Sequence, residues 1–504
     1  MIRMLKPVAL ATTLVTLLSA CSLVPTYQRP ASPVPQQWST GDASAVPAEA
    51  APTLINWEAY FPDQRLQSLI RASLANNRDL RVAVLNIEQT RAQYQIQRAS
   101  LFPQVGVSLS GTRGTATSAP YPVYSSVSGG LSLSAFEIDL FGRVRALTDA
   151  AAATLLATEE ARKTTQISLI ASVASTWYAL WADRWQLALA EQTLQARASS
   201  LKLLQLKYDN GVLNELELRS GQSLVEAARV SRAQADRQYR QDLNALALLV
   251  GQQVDPATLP PAPSLGDRPL DDVDAIPRLG GDSLWPALAE LPVGLPSQVL
   301  LARPDITQAE QQLIAANANI GAARAAMFPS ISLTGNAGRV SNSLSGLFDD
   351  GRRSWGVTGS LLAPIFDMGR TRAGVEVAQA SRDIAVAQYE KALQSAFREV
   401  SDALVSRDTY GEQAQAQQAQ ADAETDRLRL SALRYRSGVA SQLDLLDAQR
   451  SLFAAQQSLI QAQLARQQAN ITLFKTLGGG WDQNTATTVP ASAAGGASAA
   501  GSAS

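Results

Sequence analysis

The chain has 504 residues, and 43 basic against 44 acidic side chains leave a net charge of −1, so it offers no basic surface of the kind that binds nucleic acid phosphates. It contains no histidine and a single cysteine, which removes the commonest general base and metal ligand and excludes a disulfide framework or a zinc site. Metal-free carboxylate or lysine chemistry survives this cut, and no cofactor is implied.

An export signal opens the chain. Arg3 and Lys6 precede an apolar run from Val8 to Leu18, too short for the ~20 residues of a membrane-spanning helix and suited to a signal peptide over 1–20. Leu18-Ser19-Ala20-Cys21 reads as a bacterial lipobox, with Cys21 lipidated as the first mature residue. An ordinary cleavage site beside an incidental cysteine is the blander alternative. Ser22 follows Cys21 where an aspartate would signal retention, and that pattern resembles sorting to the outer membrane. Residues 21–62 then form a tether, rich in proline, alanine and serine to about Pro52 and with no core of its own.

From 63 onward the chain is a duplication. Phe102-Pro103 recurs as Phe328-Pro329, Gly142-Arg143 as Gly369-Arg370, Gly211-Val212 as Gly438-Val439, and Gly251 as Gly478. Landmarks at one near-constant shift mark internal repeats, here a first repeat over 63–251 and a second over 303–478. The proline-rich stretch 252–302 connects them, and 479–504 is an Ala/Gly/Ser-rich tail read as disordered.

Each repeat changes period in the same order. Asp63 to Ala99 is helical in character and yields at Phe102-Pro103. Val105, Val107 and Leu109 alternate with small polar residues, the period of a strand with one apolar face. A loop from Gly114 to Ser126 leads to a second strand through Leu131, Leu133 and Phe136 towards Leu140. The second repeat predicts strands near Ser330 to Gly338 and Trp355 to Phe366. After each pair a helix of 67 residues is predicted, Arg143 to Asp209 and Arg370 to Arg436, ~100 Å long at ~1.5 Å per residue. Ala373, Val377, Ala380, Ile384 and Ala387, then Leu393, Phe397, Val400 and Leu404, mark a coiled-coil seam.

The fold class is therefore α+β, with four weakly amphipathic strands per chain that suit a transmembrane β-barrel. Lipid tolerates no unpaired strand edge, and four strands cannot close a barrel, so several chains must share one. Closure alone permits a dimer with eight strands or a trimer with twelve, with the helices continuing the wall as a periplasmic tube.

At this point the residues resemble a known family. Cys21, Tyr27-x-Arg29-Pro30, Trp57-x-x-x-Phe61-x-Asp63 and Asn77-x-Asp79-Leu80 look like the start of the TolC-like outer-membrane efflux factors. Arg303-Pro304-Asp305-Ile306 and Ala315-Ala316-Asn317-Ala318 resemble the lipoprotein branch that serves RND-type drug pumps, and Leu443-Asp444-Leu445-Leu446-Asp447-Ala448-Gln449 is similar to that family's periplasmic tip segment. The resemblance implies a homotrimer with a 12-stranded barrel over a helical tunnel. It also implies an outer-membrane location, a periplasmic adaptor (membrane fusion protein) and an inner-membrane RND-type pump as partners, and passive export of drugs or other small molecules.

The same resemblance assigns sites. Leu443, Asp444 and Asp447 would ring the tunnel's narrowest opening, where crowded acids should raise one another's pKa and attract cations. Aspartates at a helix N-terminus, favoured by the macrodipole, are the bland alternative. The position matching the family's latch arginine is Ala440, so that salt bridge cannot form; Glu217, which aligns with Asp444, is the candidate latch partner of Tyr435. The tips carry the expected docking residues Gly211, Val212, Leu213, Gly438 and Val439, the glycines serving the turns and the apolar residues a partner.

Two other classes remain open on the residues alone. A lipid-anchored cell-wall enzyme would use acid pairs such as Asp349-Asp350 or Asp271-Asp272, although both pairs sit in loops. A structural coiled-coil lipoprotein would have little use for paired strands in matching places.

Overall fold

The structure, a computed structural model, describes residues 22–35, 38, 56–115, 117, 120, 122–263, 279, 285–291, 297–349 and 351–479. Cys21, Asp271, Asp272 and Asp350 lie outside the described residues, as does the tail beyond 479. The chain forms two compact units. One comprises residues 1–33, 84–161 and 305–393, the other residues 34–83, 162–304 and 394–504.

The elements follow in the order α1 (Trp57–Tyr60), α2 (Gln64–Asn76), α3 (Arg78–Ala99), β1 (Val105–Thr115), β2 (Val123–Ile138), α4 (Arg143–Asp209) and α5 (Glu215–Val250). The second repeat holds α6 (Pro304–Ala325), β3 (Ser330–Ser341), α7 (Leu344–Phe348), β4 (Arg352–Leu362), α8 (Arg370–Arg436) and α9 (Gln442–Thr476). The two 67-residue helices have the bounds expected from the sequence. The helical stretch 63–99 is in fact broken at Asn77, whose side-chain oxygen accepts from the Leu80 amide and restarts the helix as α3. Among the described residues no helix is long and apolar enough to cross a membrane.

In the first unit the four strands form one antiparallel sheet in the order β1-β2-β3-β4. The register brings the apolar positions into rows. Val107 faces Leu131, which faces Ala337, which faces Trp355; Val105, Leu133, Gly335 and Val357 form the next row. Side chains alternate across a sheet, so these rows share one face while Gly106, Ser132, Asn336 and Gly356 share the other. Both edges, β1 and β4, lack a partner strand among the described residues. A register shift between Leu133 and Phe136 takes up the three-residue step between those apolar positions, with Ala135 at φ 35°. Some details differ from expectation. β2 begins at Val123, so the first loop is shorter; β4 ends at Leu362, because Pro364 cannot donate to a ladder; and the second loop contains the short helix α7.

The same unit fixes the chain's N-terminal segment. Val24 packs so closely on Gly321 of α6 that a Cβ there would collide with its backbone. Asn317 Nδ2 donates to the Pro25 carbonyl at 2.7 Å. The start of the tether is thus strapped to α6, where the sequence suggested only an extended linker.

The second unit holds the largest core. Trp57, Tyr60, Phe61, Trp177, Tyr178 and Phe474 are fully buried with Leu66, Ile70 and Leu246. Tyr60 stacks on Phe474 at 4.3 Å. Three of their polar atoms are satisfied: Tyr60 donates to the Asn470 carbonyl at 2.9 Å, Tyr178 to Pro286 at 3.0 Å and the Trp177 indole to Thr258 at 3.2 Å, whereas the buried Trp57 indole nitrogen meets no acceptor among the described residues. Each such aromatic contributes on the order of 2–3 kcal/mol by burial.

The coiled-coil seam on α8 is only partly as expected. Leu393 and Val400 are buried, together with Ala385, Tyr389, Ala396 and Ala403. Ala373, Val377, Ala380, Ile384 and Ala387 instead face outward, Val377 being 67 % exposed. Among the described residues that stripe finds no cover.

Candidate functional site

Two helical turns are built alike. Residues 210–214 join α4 to α5, and residues 437–441 join α8 to α9. Gly211 has φ 73° and Gly438 φ 72°, the left-handed geometry that ends a helix and favours glycine. In each turn the glycine amide donates to the carbonyl three residues back and the following valine amide to the carbonyl five back, at 2.9–3.0 Å. Asn214 then caps α5 by accepting from the Glu217 amide at 2.9 Å. Val212 and Val439 stand out at 76 % and 69 % exposed. Leu213, expected to be exposed with them, is half-buried.

Ser441 and Asp444 form a reciprocal capping box on α9. The Asp444 amide donates to the Ser441 hydroxyl, and the Ser441 amide and hydroxyl donate to Asp444 Oδ2 at 3.0 and 2.8 Å. One turn further on, Asp447 accepts from Arg427 Nη2 of α8 at 2.6 Å and from Arg450 Nη2 at 2.5 Å. Leu443 beside them is 71 % exposed.

These partners decide the acids' proton affinity. The Ser441 hydroxyl, then its amide, holds Asp444 below the usual carboxylate range. Arg427, then Arg450, does the same for Asp447. The expected mutual upward shift is therefore reversed within the chain, because direct charge-assisted hydrogen bonds outweigh repulsion between two exposed carboxylates.

Tyr435 is held by a different group from the one expected. Lys207 Nζ of α4 donates to the Tyr435 hydroxyl at 3.0 Å and lies 5.4 Å from its ring centroid. Among the described residues no hydrogen bond joins Tyr435 to Glu217, whose backbone amide is committed to the α5 cap. The sequence reading missed Lys207, Arg427 and Arg450. Arg450 could have been found three residues after Asp447; the other two come from neighbouring helices and leave no local signal. Asp349 caps the C-terminus of α7, and among the described residues no three acidic or cysteine side chains gather as a metal site.

Comparison with known proteins agrees with this layout. Residues 69–252 and 295–479 match the family model described as Outer membrane efflux protein, one stretch per repeat. The chain is similar to the probable efflux pump outer membrane protein TtgC of Pseudomonas putida, 44 % identical over 93 % of this chain and 94 % of that protein. It is also similar to outer membrane protein OprJ of Pseudomonas aeruginosa, at 42 % over 92 % and 94 %. Among solved structures, the open-state outer membrane channel MtrE of Neisseria gonorrhoeae superposes with a TM-score of 0.77 at 36 % identity, covering 91 % of this chain and 98 % of that one.

Proposed function

The chain belongs to the outer membrane efflux protein family, and from that premise we propose that it is the outer-membrane exit duct of a tripartite efflux system, built from three copies of itself. The observation that carries this reading is the sheet. Its apolar rows share one face, its small polar residues share the other, and both edges are open among the described residues. Edges in lipid must be paired, so β4 of one copy is matched to β1 of the next, and three copies supply twelve strands. The exposed stripe from Ala373 to Ala387 supports the same assembly, since a second helix would cover it.

In this reading the duct is passive and binds no cofactor. Val212 and Val439 at the tips dock a periplasmic adaptor, with Gly211 and Gly438 shaping the turns and half-buried Leu213 bracing the first. Leu443, Asp444 and Asp447 form the periplasmic constriction, where Arg427 and Arg450 hold Asp447 and Lys207 holds Tyr435. An RND-type inner-membrane pump chooses the cargo, and a lipidated Cys21 adds membrane affinity without building the pore. Native mass spectrometry of the protein released from detergent tests the assembly. Three chains per particle are expected, and a monomer or dimer as the only species would refute the shared barrel.

A further inference from the structure

Arg197 of α4 is only 8 % exposed, yet it meets no carboxylate among the described residues. Its Nη1 donates to the Leu224 carbonyl of α5 at 3.1 Å, and its guanidinium carbon lies 5.5 Å from the Phe453 ring centroid of α9. Neither partner is an anion. The acids of this region are taken: Asp447 by Arg427 and Arg450, and Glu424 by Arg427. Three arginines therefore share two carboxylates, and the one left over is the buried one. Burial, then the neighbouring Arg450, lowers its proton affinity, as expected for a cation short of a counterion.

Beside it lies a cavity of about 30 Å³ lined by Arg197, Thr193, Gln192, Gln449 and Gln456 together with Leu428 and Phe453 among others. No acidic side chain lines it. A guanidinium carries five donors in a planar fork, and burying its charge uncompensated is costly. Water in the cavity would satisfy donors but neutralise nothing. A monatomic anion would do both. Hydroxyl and amide side chains are the neutral donors suited to such an ion.

We propose that Arg197 and this cavity form a halide site, filled by chloride, which fastens α4 and α5 to α9 below the tips. The site belongs to the chain's own packing and does not depend on the cargo or on the docking partner.

The test uses the full-length protein in detergent. Crystals grown with sodium bromide in place of chloride should give an anomalous peak beside the Arg197 guanidinium, absent in Arg197→Gln. At constant ionic strength, replacing chloride by gluconate should lower the melting midpoint of the native protein by about 2 °C. The difference should vanish in Arg197→Gln and shrink in Thr193→Val, which keeps the charge and the volume. A bromide peak without an anion-dependent midpoint would mean an adventitious ion only and would overturn the proposal. Absence of the peak, or equal midpoints in both anions for the native protein, would overturn it as well.

Discussion

Arg29 donates to both carboxylate oxygens of Glu310, at 2.7 and 2.8 Å, across 281 residues of sequence. Tyr27 adds a third hydrogen bond to the same carboxylate at 3.0 Å, and burial, then Glu310, pushes its phenol up to about 12. The Tyr27-x-Arg29 motif is thus a clamp that fixes the strap behind Cys21 onto α6. Arg29→Ala would leave the largely buried Glu310 carboxylate with the phenol alone, a loss of ~1–3 kcal/mol. Thermal melting should show the drop, and limited proteolysis should cut faster within 22–35. Unchanged melting and cleavage would mean that the strap is held by Val24 and Asn317 without the ion pair.

The acids after the second tip carry a channel prediction. Asp444→Ala combined with Asp447→Ala should raise resting conductance and weaken cation preference, read in single-channel records. Arg427→Ala should raise resting conductance without removing the acids. Because hydrogen bonds depress the folded pKa of Asp447, its ion pairs contribute above the unfolded value of about 3.9. That contribution is lost only as pH falls through the lower folded value. Acid opening should therefore begin below the ordinary carboxylate range, and opening at pH 5–6 would count against this account.

A second titration runs in the opposite direction. Burial, then the hydrogen-bonded Asp242 carboxylate, pushes Asp183 up to about 8. The native state then holds an extra proton between roughly pH 4 and pH 8, so this pair makes stability fall as pH rises through that window. Asp183→Asn should flatten the fall, measured as melting midpoints at pH 5 and pH 9. The same slope in both proteins would show that the pair does not share a proton.

The tips predict a separation of docking from assembly. Val212→Asp with Val439→Asp places charge on two exposed residues and should abolish drug resistance in cells while trimers still form. Leu213 is half-buried, so its replacement should cost turn stability as well. Resistance that survives the double change would remove these valines from the docking surface.

Much of this architecture is legible in the chain because it is repeated. Gly142, Gly211 and Gly251 have φ of 76°, 73° and 76°, and their partners Gly369, Gly438 and Gly478 have 84°, 72° and 78°. The sequence landmarks that reveal the duplication are thus the places where the backbone needs a left-handed residue. The ends of α4 and α8 follow for the same reason. What the sequence conceals is long-range pairing. Arg29 with Glu310, Lys207 with Tyr435 and Arg427 with Asp447 join distant helices or segments, and no local period encodes them. The seam on α8 misleads for a related reason, since apolar spacing shows that a stripe wants cover but not which chain supplies it.

The central claim is that copies of this chain close a barrel and conduct. Purified protein added to a planar lipid bilayer tests it most directly. The account predicts discrete, uniform conductance steps that carry small ions; a bilayer that stays silent at protein levels where membrane insertion is demonstrated would contradict it.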